Sequence, residues 1–317
     1  MPEPVTAAAV CEAAVRIRPI AARTPVMTSR CFDAEASTRA FFKCENLQRG
    51  GSFKIRGASN FVFSIPRAKL AKGVVAYSSG NHAQALAIAA EYAGIPSTLV
   101  MPLDAPRSKV EATRAHGARI VTYDRLRESR EALGRQISEE SGAALVPPYD
   151  HPWTIAGQGT AALELLEDVP ELDALITPVG GGGLISGCAL IAKQMRPQIR
   201  IFGAEPADGN DTLQSLEAGE RIEIAPPKTI ADGLRATCPG ALTFPIVQRL
   251  ADNIVLVSED EIRAAMRFLL TRMKILVEPS GAVSAAAVLF RKLPQDIRSV
   301  GVILSGGNVD LEMLREL

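Results

Sequence analysis

Net charge is missing from this sequence: 35 lysines and arginines balance 35 aspartates and glutamates over 317 residues. Without a basic excess there is no electrostatic footprint for nucleic acid or for an anionic membrane surface. No apolar run approaches the ~20 residues that cross a bilayer. The opening Met1-Pro2-Glu3-Pro4-Val5-Thr6 has no basic stretch followed by an apolar core, so no secretory signal is read there. Cysteine is sparse and unpatterned: Cys11, Cys31, Cys44, Cys188 and Cys238 are odd in number and never at CxxC spacing. That argues against a disulfide framework and a structural zinc site, and for free thiols in a reducing cytoplasm. Histidine is scarcer still, three residues with no metal-ligand spacing between them, which argues against a histidine-based metal centre. Internal repeats and low-complexity tails are absent too.

What remains is the composition of a packed globule, 47% hydrophobic and 22% charged, long enough for two subdomains. Short apolar strands alternate with amphipathic helices. The N-terminal part reads as a helix over 7–17, two short extended pieces, a strand over 41–45 and a helix over 57–64. From Gly73 the rhythm is strand 74–77, helix 83–93, strand 97–101, helix 107–116, strand 119–123, helix 127–141 and strand 143–146. Gly94 and Pro96 close the first of these helices, as a C-terminal glycine and breaker do. After Pro147-Pro148 the pattern restarts with helix 159–167, strand 174–179, helix 184–194 and strand 199–204. A looser stretch leads to helix 244–250, strand 253–257, helices 259–274 and 281–291, and strand 300–304. This alternation predicts an α/β fold of two three-layer subdomains built on parallel sheets. Residues 1–72 and 147–317 form the larger and residues 73–146 the smaller, inserted one.

Function in such sheets gathers where strands end and helices begin. Gly180-Gly181-Gly182-Gly183 follows a strand and opens a helix, so successive backbone N–H groups and the helix N-terminus can hold a phosphate without a cation. The same loop reads as Gly181-x-Gly183-x-x-Ser186 with Glu205 downstream, a weak dinucleotide fingerprint. Ser78-Ser79-Gly80-Asn81-His82 occupies the equivalent place in the smaller unit and suits a carboxylate. Ser305-Gly306-Gly307-Asn308 follows the last strand, and Glu278-Pro279-Ser280-Gly281 either caps a helix or faces a ligand. Upstream, Gly51-Ser52-Phe53-Lys54-Ile55-Arg56-Gly57-Ala58 presents one lysine, a residue that forms Schiff bases once burial lowers its pKa. A Schiff-base lysine, a cationless phosphate cradle, a carboxylate clamp and a lone terminal hydroxyl together describe a site for pyridoxal 5′-phosphate and an amino acid.

At these residues, together with Ala156-Gly157-Gln158-Gly159-Thr160, the chain resembles the serine/threonine dehydratase and serine racemase family of pyridoxal-phosphate enzymes, with the tryptophan-synthase-β-like fold. The motifs occur in family order and span nearly the whole chain. The resemblance implies that Lys54 is the Schiff-base residue and the base at the substrate α-carbon, with Phe53 beside the ring and Asn81 on the ring hydroxyl. Gly180, Gly181, Gly182, Gly183 and Leu184 would bind the phosphate, and Glu278, Ser305 and Gly306 complete the cofactor contacts. Ser305 would meet the pyridine nitrogen; being neutral, it leaves the ring a weaker electron sink and favours elimination over a long-lived carbanion. Ser78, Ser79, Gly80, Asn81 and His82 would hold the substrate carboxylate. Ser79 matches the acid/base position of racemases. Glu205, Gly209 and Asp211 match a divalent-cation site for magnesium, calcium or manganese.

Three positions set this chain apart within the family and lean towards a dehydratase: Ala83, Gly50 in place of a threonine, and Tyr149 where serine racemases carry asparagine. The implied activity is elimination from L-threonine and L-serine to a 2-oxo acid and ammonia in the cytoplasm. A small amino acid is the expected partner, in a homodimer or homotetramer, with neither nucleic acid nor membrane. Dehydration of 3-hydroxyaspartate and serine racemisation stay open on the same scaffold, the former calling for an extra cation, for which Arg130 is the candidate by position. From other classes, a nicotinamide-dependent dehydrogenase would use Gly181, Gly183 and Glu205, and an amino acid sensor would bind without turnover.

Overall fold

Strand pairing sorts the apolar runs into two sheets. The computed structural model describes residues 5–105, 107–124 and 126–317; residues 1–4, part of the segment read above for a secretory signal, lie outside them. The strands are β1 (Val26–Met27), β2 (Arg39–Cys44), β3 (Val74–Tyr77), β4 (Ser97–Pro102), β5 (Arg119–Tyr123), β6 (Ala144–Leu145), β7 (Ala174–Pro178), β8 (Arg200–Pro206), β9 (Asn253–Val257) and β10 (Ser299–Leu304). Six form a sheet in the order β1-β2-β10-β7-β8-β9 and four form a second in the order β5-β4-β3-β6. All neighbours are parallel except β1 and β2.

Both faces of the larger sheet are covered, which is why β7 is buried at every position. Successive side chains point to opposite faces. Ile176, Phe202, Val300 and Val302 pack with the helices Glu259–Phe268 and Pro279–Leu289. Leu175, Ile201 and Ile303 pack with the helices Pro152–Asp168 and Gly183–Met195. The smaller sheet shares its core with the helices Asn81–Ala93 and Lys54–Ser64. No helix among the described residues is long and apolar enough to cross a membrane.

Several boundaries differ from the sequence expectation. The lysine helix starts at Lys54, not at 57. The central helix starts at Pro152, not at 159: proline takes a first-turn position, where its missing N–H costs nothing, and the His151 side chain accepts from Trp153 N. Residues Arg30–Ala36, which no expected helix covered, are helical behind a Ser29 cap, and Asp211–Ala218 is a helix within the looser stretch. The helix expected over 259–274 changes to a π turn at Leu269–Met273 and stops at Lys274, which has φ 62°.

The ends of β3, β7 and β10 open into one cavity of about 560 Å³, lined by Lys54, Ser78, Gly180 and Ser305 among others. There the lysine loop meets the loop that follows β10. Ser52 bridges Gly306, Phe53 N donates to Ser305 O at 3.0 Å and Gly307 N to Gly51 O at 2.9 Å.

Candidate active site

Lys54 is the first residue of its helix, which has no side-chain cap, so the amine stands at the cavity wall. Its Nζ donates to Pro148 O at 2.9 Å and lies 5.1 Å from the Phe53 ring centroid. Burial disfavours the ammonium and lowers its pKa to about 8, and the Glu278 carboxylate opposes that shift. A neutral amine, able to attack a carbonyl or take a proton, is therefore accessible near neutral pH. On the far side of the same turn, Arg56 is fully buried. It donates to both Glu45 oxygens at 2.7 and 2.8 Å and to both Glu164 oxygens at 2.8 Å. The buried Lys43 pairs with Glu164 at 2.6 Å, so this quartet is neutral in sum.

The glycine loop is a cradle that side chains would fill. A methyl at Gly181 would stand 2.3 Å from the Tyr149 ring, and at Gly183 it would stand 2.9 Å from Tyr149 Cβ. Gly182 has φ +87°, which strains any other residue. Thr243 Oγ1 donates to Gly181 O at 2.7 Å and fixes the loop. The following helix has no side-chain cap, which leaves its first N–H groups available to an anion.

Across the cavity, the helix Asn81–Ala93 is capped by Gly80 without any side chain, so neither Ser79 nor Asn81 is spent on capping. Asn81 Nδ2 donates to Glu278 Oε1 at 2.7 Å, and its Oδ1 accepts from Asn308 Nδ2 at 2.9 Å. Asn308 N reaches Glu278 Oε2 at 3.1 Å, and Gly306 leaves room for Glu278: a methyl there would lie 2.3 Å from Oε1. One nitrogen of the His82 ring is taken up by the main chain. Its Nε2 lies 3.0 Å from Val146 O, and burial, helped by the Lys54 charge, lowers its pKa to about 3. A carboxylate could use its main-chain N–H, not a cationic ring. Leu184 also lines the cavity. Sequence reading missed the Asn308 link, and the clamp of Asp150 on Leu242 N and Thr243 N at 2.8 and 3.2 Å. No spacing signals contacts between such distant segments.

Glu205 and Asp211 lie together away from the lysine. Glu205 accepts from Thr212 N and Leu213 N, both at 3.1 Å, whereas both Asp211 oxygens are buried without a donor. Burial raises Glu205 to about 8, with the Asp211 charge adding, and burial raises Asp211 to about 7. Among the described residues no group of three or more His, Cys, Asp or Glu side chains is assembled for a metal.

A family model described as pyridoxal-phosphate dependent enzyme matches residues 17–306. The chain belongs to that family. This pyridoxal-phosphate-dependent enzyme is 50% identical over 303 residues to the L-threo-3-hydroxyaspartate ammonia-lyase of Saccharomyces cerevisiae, covering 96% of this chain and 93% of that one. It is 44% identical over 303 residues to the L-threonine ammonia-lyase of Geobacter sulfurreducens, covering 96% and 75%. Maize serine racemase superposes with a TM-score of 0.95 at 46% identity over 99% of this chain and 97% of that one. Fold and family agree with the expectation from the motifs, and the dinucleotide reading of Gly181, Gly183 and Glu205 falls away. The cofactor fits the residues present: a depressed-pKa amine and an uncapped glycine cradle share one cavity, with the neutral Ser305 lining it.

Proposed function

We propose that the chain is an ammonia-lyase that eliminates water from L-threonine and L-serine and releases a 2-oxo acid and ammonia. The observation that carries this reading is the Lys54 amine, with its pKa lowered to about 8, in one cavity with the glycine cradle and the Ser79 loop. When bound, the cofactor draws electrons from the substrate α-carbon and makes its proton removable. Gly180, Gly181, Gly182, Gly183 and Leu184 hold the phosphate, while Phe53, Asn81, Glu278, Ser305 and Gly306 surround the ring. Main-chain N–H groups and hydroxyls of residues 78–82 orient the substrate carboxylate. Lys54 takes the α-proton on its face. Ser79, free of capping duty, stands as the acid/base group that sets any accompanying racemisation. Ser305 cannot keep the ring nitrogen charged, which favours loss of the β-hydroxyl over a persistent carbanion.

A second reading, 3-hydroxyaspartate as substrate, is favoured by Arg130. Its guanidinium lines the cavity, 5.9 Å over the Tyr77 ring and 2.7 Å from Glu131, where a β-carboxylate could compete for it. The 50% identical yeast relative bears that substrate in its name. Asp211, with two buried oxygens lacking donors, supports a magnesium or calcium ion held with Glu205 and the Gly209 carbonyl.

The test is direct. The chain loaded with pyridoxal 5′-phosphate should absorb visible light, lose that absorbance on borohydride reduction, and form 2-oxo acid from serine and threonine. Lys54→Ala should lower turnover by at least about 100-fold; a variant releasing ammonia at the parental rate would sink the assignment.

A further inference from the structure

The motif Ala156-Gly157-Gln158-Gly159-Thr160 has no role in the chemistry above, yet it lies at the middle of the structure. It sits on the central helix Pro152–Asp168, and its two glycines face different neighbours. A methyl at Gly157 would stand 2.5 Å from Arg56 O and 2.7 Å from Gly57 Cα on the lysine helix. A methyl at Gly159 would stand 2.5 Å from Gly187 O on the helix that follows the cradle. The opposing glycines are as tight: a methyl at Gly57 would lie 2.9 Å from Thr154 O, and at Gly187 it would lie 2.2 Å from Ile155 O. Backbone meets backbone on both sides, so the thickness of the central helix alone separates the amine-bearing helix from the phosphate-cradling one.

Gln158 adds direction to that spacing. It is 1% exposed. Its Oε1 accepts from Gly57 N at 3.1 Å, at the end of the opening turn of a helix that lacks a side-chain cap of its own. Its Nε2 is buried without a partner and packs against the same glycine, 2.3 Å from where a methyl on Gly57 would stand. The cofactor is a short rigid molecule with an aldehyde at one side and a phosphate at the other. Holding both ends at once strengthens binding only if the two protein sites match its length, and the gain vanishes when geometry forbids simultaneous contact.

We infer that Gly157, Gln158 and Gly159 form a spacer that sets the distance between Lys54 Nζ and the Gly180–Gly183 cradle to the length of the cofactor, with Gln158 a positioning residue for the lysine helix. The inference rests on the reading of the cavity as a pyridoxal 5′-phosphate site. It separates two quantities that a merely structural role would move together: the affinity for each end of the cofactor, and the advantage of having the ends joined.

The experiment compares the full chain with Gly157→Ala, Gly159→Ala and Gln158→Met. Each is titrated with pyridoxal 5′-phosphate, with pyridoxal lacking the phosphate, and with inorganic phosphate. Absorbance reports the aldehyde ligands and calorimetry the phosphate. The variants should lose at least about tenfold in affinity for the joined molecule and stay within about twofold of the parent for each half. Parental affinity for the joined molecule in all three variants overturns the inference, and so does an equal loss for all three ligands. If the alanine variants do not fold, Gln158→Met, which deletes the hydrogen bond without adding bulk, decides between these outcomes alone. A parent chain that takes up no pyridoxal 5′-phosphate would instead overturn the reading of the cavity.

Discussion

Replacing Arg56 with methionine should destabilise the fold more than any single surface change, and the contacts set the size. Arg56 is fully buried and engages both oxygens of Glu45 and both of Glu164. After the substitution Glu164 keeps Lys43 at 2.6 Å. Glu45 keeps the Thr24 hydroxyl, at 2.5 Å, but this buried carboxylate loses its counter-ion. Removing one partner of a buried pair costs about 3–5 kcal/mol, a large share of the roughly 5–15 kcal/mol that holds a typical domain folded. If the orphaned charge is the cause, neutralising it should restore part of the loss. Arg56→Met with Glu45→Gln should be more stable than Arg56→Met alone, with a coupling of about 1–3 kcal/mol. Guanidinium unfolding of parent, both single variants and the double, followed by circular dichroism, measures the cycle. A loss under about 1 kcal/mol for Arg56→Met, or a double variant no better than the single one, would refute the reasoning.

Three further outcomes are expected. Gly181→Ala places a methyl 2.3 Å from the Tyr149 ring and should weaken pyridoxal 5′-phosphate binding by at least about tenfold while Lys54 remains reactive towards pyridoxal, read by absorbance. Asp211 at about 7 and Glu205 at about 8 lie above their ordinary 3.8 and 4.5. The folded state thus binds their protons more tightly than the unfolded chain. Their contribution is complete below about pH 4 and is lost progressively as pH rises from there through about 8. In chelator the melting temperature should fall over that window, magnesium should restore it at pH 8, and Asp211→Asn should flatten both effects; an unchanged slope in that variant counts against the site. Arg130→Met should lower kcat/KM for L-threo-3-hydroxyaspartate by about 10–100-fold and leave serine within about twofold, and equal losses on both substrates would remove Arg130 as the specificity group.

The parts of the site that sequence could reveal are those where one loop carries the whole physical signal. Gly180–Gly183 between a strand and a helix announces a cradle because only backbone is needed there. The central helix shows the reverse. Gly157 and Gly159 each weaken a helix taken alone, and the expected helix began only at residue 159. Tertiary packing reverses that preference, since these two positions are where neighbouring backbones come within contact distance. The buried quartet was equally hidden: Lys43 and Glu45 read as ordinary strand residues, and only the fold brings Glu164 to them. The partners of Asn81 come from Glu278 and Asn308, across nearly the whole length of the chain, where local pattern has no reach.

The pairing of β2 with β10, and of Ser52 with Gly306, bears on the order of assembly. β10 follows the lysine motif far along the chain, so a growing chain carries Lys54 for a long stretch of synthesis without the strand that pairs with β2 beside it. The smaller sheet, by contrast, is built from consecutive strands within 74–145 and can close early. Domains form in the order in which their contacts become available. Lys54 and Ser305 thus come to line one cavity only when β10 slots between β2 and β7.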